Sequence, residues 1–497
     1  MCDAPTTDAM IPATAAEGAC PRLCIAAVSG GGGKTLLSLG LAGALRDAGR
    51  EVVPFKKGPD YIDAAWLSLA AGRPARNLDP YFLPPEALRR HFLRGVARAG
   101  AAPATPLLAL LEGNRGLYDG LDTRGSCSTA ALARVLRCPV VICLDCAKMT
   151  RTAAALLSGL TAFEPATPVA GVVLNRTASA RHEGILRRSI EEHTDLTVFG
   201  ALPRQRDNPL PERHMGLAAF AGGAPTPETT RTLRRLATLI RDHVDVSRLL
   251  ETAGAAPALP PLPPPPPPPI PGAGGSVRPR IGYVRDAALW FYYEENLEAL
   301  EQAGADLIRL SLLDAADWPP IDGLYLGGGF PEDWAEALSA SPHVRRRLPA
   351  LASAGLPIYA ECGGFMVLAQ GLRRDGRRWP LAGVLPVDVV FHDRPQGLGY
   401  VDGVLREATP YFPEGTRVRG HEFHYSRCAP PPDPLPAPAA LAMRLERGTG
   451  MAPLYPHQDG FRNGALWASY CHIFAPAVPG WAPGFVAAAR AFPRGAS

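Results

Sequence analysis

The sequence predicts two doubly wound α/β domains joined by a proline-rich linker. Three observations carry that prediction. Short apolar runs alternate with helical patterns over residues 22–251, the same alternation returns after residue 280, and a proline tract lies between them. A length of 497 residues agrees, because it exceeds what one hydrophobic core usually organises.

In the first half, LCIAAVS, EVVPFK, LLALLEG, PVVICLD and VAGVVLN are apolar almost throughout. Strands covered by helices on both faces of a parallel sheet have this composition. The stretch from Thr35 to Ala48 has the pattern of a covering helix. From Thr252 to Pro279 the chain carries PALPPLPPPPPPPIPGAGG. Consecutive prolines fix φ and remove backbone donors, so this stretch is expected as a semi-rigid spacer, in preference to a docking peptide for a proline-binding module. Beyond it, RIGYVRD, GADLIRL, DGLYLGG and LPIYAEC repeat the strand theme. The expected division is a disordered N-terminal extension at 1–21, a first domain at 22–251, a linker at 252–279 and a second domain at 280–492.

Composition narrows the function classes. A formal charge of +4, with no long basic run, gives no footprint for nucleic acid. No run of 18 apolar residues suggests a membrane span, and the N-terminal stretch lacks the basic and apolar regions of a secretory signal. The cytoplasm is the expected compartment. Ten cysteines without scaffold-like spacing fit a reducing environment. Cys143 and Cys146, with Cys138 upstream, read as part of a buried strand, since no second pair stands near them at zinc spacing.

Ser29-Gly30-Gly31-Gly32-Gly33-Lys34-Thr35 follows an apolar strand and opens a helix. Glycines there allow backbone N–H groups to curl round phosphate oxygens, and the helix N-terminus adds a favourable dipole. Lys34 is placed to reach the β- and γ-phosphates, and the Thr35 hydroxyl to ligate Mg²⁺. The strict pattern has glycine where this chain has Val28. PFKKGPDYID (54–63) and EGNRGLYDG (112–120) each follow a strand end, where ligand sites of open sheets gather. Glu112 is therefore a candidate oxygen ligand for Mg²⁺.

In the second half, Ala360-Glu361-Cys362-Gly363-Gly364 leads from a strand into FMVLAQGL, an expected helix. A nucleophile on a tight strand-to-helix turn needs small neighbours, so that the side chain stands free and backbone N–H groups form an oxyanion hole. Gly363 is one such neighbour, and Gly328 and Gly329 of Tyr325–Glu332 are others. The helix N-terminus is expected to lower the Cys362 thiol pKa. His472, in WASYCH, is the candidate base, with His421 and His424 of RGHEFHYS as competitors.

PFKKGPDYID, EGNRGLYDG, GVVLNR and LPERHMGL resemble the cobyrinate a,c-diamide synthase family, within the dethiobiotin-synthetase-like ATP-dependent amidoligases. GGGFPE, YAECGG, RGHEFHYS and ASYCH are similar to the corrinoid-amidating branch of the class I glutamine amidotransferases. The resemblance covers most of both halves and implies a P-loop amidoligase followed by a glutaminase. It implies that Gly30 to Gly33, Lys34 and Lys56 contact ATP phosphates, that Asn175 lies near the adenine, and that Thr35 and Glu112 hold Mg²⁺. Asp60, Tyr61, Ile62, Asp63 and Asp119 would shape the site where a tetrapyrrole carboxylate is activated. Cys362 would attack glutamine, with His472 as acid and base. The acid that the wider class carries two positions after the histidine is Phe474 here, so what orients His472 stays open.

The implied activity is amidation of the a and c carboxylates of cobyrinic acid through an acyl phosphate, using ATP, Mg²⁺ and glutamine. Hydrogenobyrinic acid and nickel-sirohydrochlorin are alternative acceptors, and a homodimer is left open. A ParA/MinD-like ATPase switch with a glutamine-sensing domain is the reading from a different class; it requires neither the KGPDYID segment nor the Cys/His pair.

Overall fold

The computed structural model describes residues 20–100, 106–205, 212–213, 216–217, 225–263, 277–432 and 441–493. The N-terminal extension up to residue 19, half of LPERHMGL and the heart of the proline tract lie outside the described residues. The chain forms two compact units, one holding the described residues up to 263 and the other those from 277 onward.

The first unit is built on a seven-stranded parallel sheet. Its strands are β1 (Arg22–Ala27), β2 (Glu51–Lys57), β3 (Arg76–Leu78), β4 (Leu107–Glu112), β5 (Val140–Asp145), β6 (Val169–Thr177) and β7 (Thr197–Pro203). They lie in the order β3-β2-β4-β1-β5-β6-β7. Every residue of β1 is buried, which is why it reads as an unbroken apolar run. The order makes β2, β4 and β1 consecutive neighbours, so the loops leaving their C-terminal ends share one rim of the sheet. The register also sets Lys56 opposite Glu112, and Glu112 opposite Ile25.

The helix Lys34–Asp47 covers β1 and packs closely on the helix Pro227–His243. Gly40 permits that approach: a Cβ there would stand 2.4 Å from Ile240 Cγ1 and 2.8 Å from the Leu236 carbonyl. Short polar residues set the helix starts, as when Ser128 and Thr226 accept from the amides of Ala131 and Thr229. The helix Val246–Gly254 runs two residues beyond the expected start of the linker. The next stretch has no regular structure, yet it is fastened to its unit by arginines. Arg22 donates to the Pro257 carbonyl, Arg137 to that of Ala258 at 3.0 Å and Arg90 to that of Pro263 at 2.7 Å. A proline segment lacks donors but keeps its acceptors, and these are what the guanidinium groups take up.

The second unit also has a mainly parallel sheet. Its order is Asp306–Leu310, Arg280–Val284, Gly323–Leu326, Ile358–Glu361, Leu466–Ser469 and Phe461–Asn463, with only the last strand antiparallel. Much of the segment from Gly397 to Arg447 forms antiparallel layers that the doubly wound expectation does not contain. One is a five-stranded sheet that includes Gly397–Leu405, Arg417–His424 and His472–Ile473. The expected helix over FMVLAQGL covers only Gly363–Leu368, and Gly371 and Leu372 already belong to the next strand.

Gly40→Ala is expected to destabilise the first unit by about 1–3 kcal/mol, because the added methyl group meets backbone as well as side chain. Urea denaturation followed by circular dichroism measures it.

Candidate functional site

Two clusters stand at strand ends, one in each unit. In the first, β1 runs into a loop whose Gly31 (φ +72°) and Gly33 (φ +98°) occupy the left-handed region that favours glycine. A Cβ on Gly30 or Gly31 would meet no atom within 4 Å, so the rim of the loop is open for a ligand to approach. Beneath it the backbone is clamped. The Asn175 amide donates to the Gly32 carbonyl at 3.1 Å, and the Cys143 thiol lies 3.3 Å from the same oxygen. Lys34 folds back over the loop and donates to the carbonyls of Ser29 (3.2 Å) and Arg115 (2.7 Å). Burial, with the nearby charge of Lys56, lowers the Lys34 pKa.

The cross-strand pair of Lys56 and Glu112 forms the centre of this cluster. The Lys56 ammonium is buried and donates to Asp63 Oδ2 at 2.6 Å and to Glu112 Oε1 at 2.7 Å. Burial opposes that charge, but the carboxylates of Asp63 and Glu112 outweigh it and hold the lysine pKa above its ordinary value. Glu112 is fully buried, and burial raises its pKa against the pull of Lys56. The Thr35 hydroxyl donates to Glu112 Oε1 at 2.8 Å, while Oε2 of the same carboxylate is buried without a hydrogen-bond partner. An orphaned carboxylate oxygen beside a threonine hydroxyl and a phosphate-type loop fits a hard divalent cation that keeps part of its shell for phosphate and water. No group of three or more His, Cys, Asp or Glu side chains among the described residues makes a metal cage.

The loop after β2 is shaped for an acidic role. Asp60 Oδ1 accepts from the Asp63 amide at 2.9 Å, at the start of the helix Ile62–Ala71. Burial, and then the charge of Asp63, pushes the Asp60 carboxyl up to about 7; water reaches 30% of its side chain and tempers the rise. Tyr61 and Ile62 are buried at the start of that helix. Asp119 is exposed and accepts from the Gly116 amide at 2.8 Å, closing the turn that passes over the end of β1.

In the second unit, Cys362 ends the strand Ile358–Glu361 with φ +45° and ψ −97°. A non-glycine residue held there is strained, and nucleophiles on strand-to-helix turns are held in this way. Burial pushes the Cys362 thiol well above its ordinary range, and the Glu332 and Glu361 carboxylates add to the rise. This corrects the expectation of a depressed thiol pKa. The helix that follows has six residues, and desolvation by burial is the largest influence on the thiol.

His472 is held by the glycine pair that also meets the Cys362 turn. A Cβ on Gly328 would stand 2.4 Å from its Cε1 and 3.2 Å from its Nε2, and a Cβ on Gly363 would stand 2.8 Å from the Gly329 amide nitrogen. The nucleophile turn and the imidazole therefore both pack against the Gly328–Gly329 pair. His421 pairs with His472 across the antiparallel ladder and stacks on it, with ring centroids 4.9 Å apart. Burial holds the His421 pKa well below its usual value, and His472 adds to that. His424 faces elsewhere: its Nδ1 lies 2.8 Å from the Ser426 carbonyl and its Nε2 3.6 Å from Glu422.

Both clusters have counterparts in known families. Residues 23–217 match the CobQ/CobB/MinD/ParA nucleotide binding domain, and residues 280–478 match the CobB/CobQ-like glutamine amidotransferase domain. A cobyrinate a,c-diamide synthase of Magnetococcus marinus is 41% identical over 93% of this chain and 96% of its own length. The chain belongs to the cobyrinate a,c-diamide synthase family. Proteins with that name from Syntrophotalea carbinolica (38% identical, 94% of this chain, 98% of theirs) and Dehalococcoides mccartyi (36%, 95% and 99%) are similar over nearly the same length.

Within this family member the structure gathers Lys34, Thr35, Lys56, Asp60, Asp63 and Glu112 at one rim, and it sets Cys362, His472 and the glycines together at another. Asn175 lies under the phosphate loop, where it supports the backbone. Cys143 lies in β5 and Cys146 just beyond its end, and both are buried. Two contributors escaped the sequence reading. Asn77 donates to the carbonyls of Gly58 (2.8 Å) and Asp60 (3.0 Å) and so holds the acidic loop; nothing in its surroundings in sequence marks it. Glu361 did carry a signal, an acidic residue closing an apolar strand, which is the feature that singled out Glu112.

Lys56→Met should cost the first unit about 3–5 kcal/mol near neutral pH, because it leaves Glu112 and Asp63 without their buried counter-charge. The deficit should shrink as pH falls, since protonation removes the uncompensated charge of a carboxyl whose pKa burial has already raised. Denaturant titrations of both proteins at several pH values check the size and the sign.

Proposed function

We propose that this chain amidates the a and c carboxylates of cobyrinic acid, drawing energy from ATP and nitrogen from glutamine. The observation that carries the reading is the presence on one family member of both halves of the chemistry: a phosphate-type loop beside Lys56 and Glu112, and a strained cysteine beside a buried histidine. A carboxylate is a poor acyl donor and must gain a leaving group before ammonia can attack it. An oxygen of the substrate carboxylate attacks the γ-phosphorus, ADP departs, and an acyl phosphate results. The backbone of Gly30 to Gly33 and the ammonium groups of Lys34 and Lys56 receive the phosphoryl charge, while Asp60, Tyr61, Ile62, Asp63 and Asp119 shape the acceptor side. Thr35 and Glu112 would hold Mg²⁺, which supplies further positive charge for the phosphoryl oxygens.

In the second unit the Cys362 thiol passes its proton to His472 as sulfur adds to the glutamine amide carbon, and Gly328, Gly329 and Gly363 offer N–H groups to the oxyanion. His472 returns the proton to the departing ammonia, and water then releases glutamate from the thioester. Ammonia adds to the acyl phosphate, phosphate leaves, and the amide is complete. The nine described cysteines are free, and no described helix is long and apolar enough to cross a membrane, features that support work in the cytoplasm.

Mass spectrometry of cobyrinic acid incubated with the protein, Mg-ATP and glutamine should show stepwise replacement of two hydroxyl groups by amino groups. Cys362→Ala should abolish that product with glutamine and retain it with ammonium chloride as nitrogen source. An inert cobyrinic acid, with its cobalt-free analogue and nickel-sirohydrochlorin also unchanged, would favour an ATPase switch instead.

A further inference from the structure

The glutaminase site contains a buried carboxylate, within the YAECGG motif, to which the resemblance assigned no role. Glu361 directly precedes the nucleophile and is fully buried. An ionised carboxylate in that position needs partners, and it has three. The Ile473 amide donates to Oε1 at 3.1 Å, the Tyr325 hydroxyl donates to Oε2 at 3.1 Å, and His472 Nδ1 lies 3.4 Å from that same Oε2. The Tyr325 oxygen accepts in turn from the Asn296 amide at 3.1 Å, and Asn296 also donates to the Ile473 carbonyl at 3.0 Å. Asn296, Tyr325, Glu361 and the His472–Ile473 backbone thus form one buried network in which both carboxylate oxygens are occupied.

We infer that Glu361 is the positioning residue of His472, occupying in space the place left by Phe474 in sequence. Its Oε2 accepts the Nδ1–H of the imidazole, so the neutral ring carries its proton on Nδ1 and presents Nε2, the nitrogen on the Gly328 side, as the base for the Cys362 thiol. When that proton arrives at Nε2, the imidazolium lies beside a carboxylate that stabilises it. A separation of 3.4 Å is long for a charge-assisted bond, as catalytic contacts often are before substrate draws them in. The carboxylate reaches the histidine from the residue before the cysteine, because the strand Ile358–Glu361 runs beside Leu466–Ser469, with Glu361 opposite Ser469 and the histidine three residues beyond. The titratable groups beside the ring are Glu361 and His421; Tyr325 reaches the same carboxylate, and Glu332, Glu361 and Glu422 lie near the Cys362 thiol.

This inference rests on the glutaminase assigned above, so the test separates the two. The full-length protein and Glu361→Gln are compared for glutamate release from glutamine and for alkylation of Cys362 by iodoacetamide across pH. The amide presents an N–H to Nδ1, which favours the wrong tautomer. The expected result is a fall in kcat of at least about 10²-fold with KM for glutamine within about twofold, and alkylation near pH 7 slower by about tenfold or more in a variant whose thermal melt is unchanged. A variant matching the wild type in kcat and alkylation would overturn the assignment. Selectively ¹⁵N-labelled histidine in the wild-type protein gives a reading that no misfolded variant can obscure: a resting Nδ1–H tautomer for His472 supports Glu361, and Nε2–H refutes it. If the wild type releases no glutamate, the assigned glutaminase fails, while the tautomer still decides the role of Glu361.

Discussion

Each site depends on one buried carboxylate at the C-terminal end of a parallel strand. Glu112 closes β4 and Glu361 closes Ile358–Glu361, and both are fully buried. A charge in that position is tolerated only with partners at hand, so each carboxylate dictates what surrounds it. Glu112 requires Lys56, which the register places directly opposite on β2, and Lys56 in turn draws in Asp63. Glu361 has three partners from two segments, Tyr325 and the adjacent His472 and Ile473, and so ties together strands far apart in the chain.

The reactive groups are then held in conformations that relaxed backbone would not choose. Cys362 sits at φ +45° because the strand behind it and the short helix ahead leave the turn no other path. Gly33 reaches φ +98° close against Asn175, where even a methyl group would stand 2.2 Å from the amide nitrogen. The two sites use these constraints differently. The phosphate loop is clamped from beneath and open above, as suits a surface that receives an anion. The Cys362 thiol is enclosed, and burial raises its pKa.

Much of this was legible before any coordinates. Buried parallel strands announce themselves as unbroken apolar runs, and all nine runs read that way became strands. Glycine runs, the Lys34–Thr35 pair and the cysteine before two glycines are local in sequence, so reading them needs no fold. The antiparallel layers between Gly397 and Arg447 were missed because their strands alternate in burial and carry no long apolar run. The arginine contacts to the carbonyls of Pro257, Ala258 and Pro263 were missed because composition reports what proline lacks and not what its oxygens accept.

By itself the sequence singled out the candidate groups for chemistry: a phosphate-type loop, acidic strand ends, a cysteine before two glycines and a set of histidines. It did not determine their pairing. That His472 packs on the Gly328–Gly329 pair against which the cysteine turn also lies, that Lys56 bridges Glu112 and Asp63, that Asn77 holds the acidic loop and that Glu361 lies 3.4 Å from the imidazole were all decided by tertiary structure. The reason is physical: strand order and register place residues within hydrogen-bonding distance when they lie tens to more than a hundred positions apart, and no local pattern encodes that proximity.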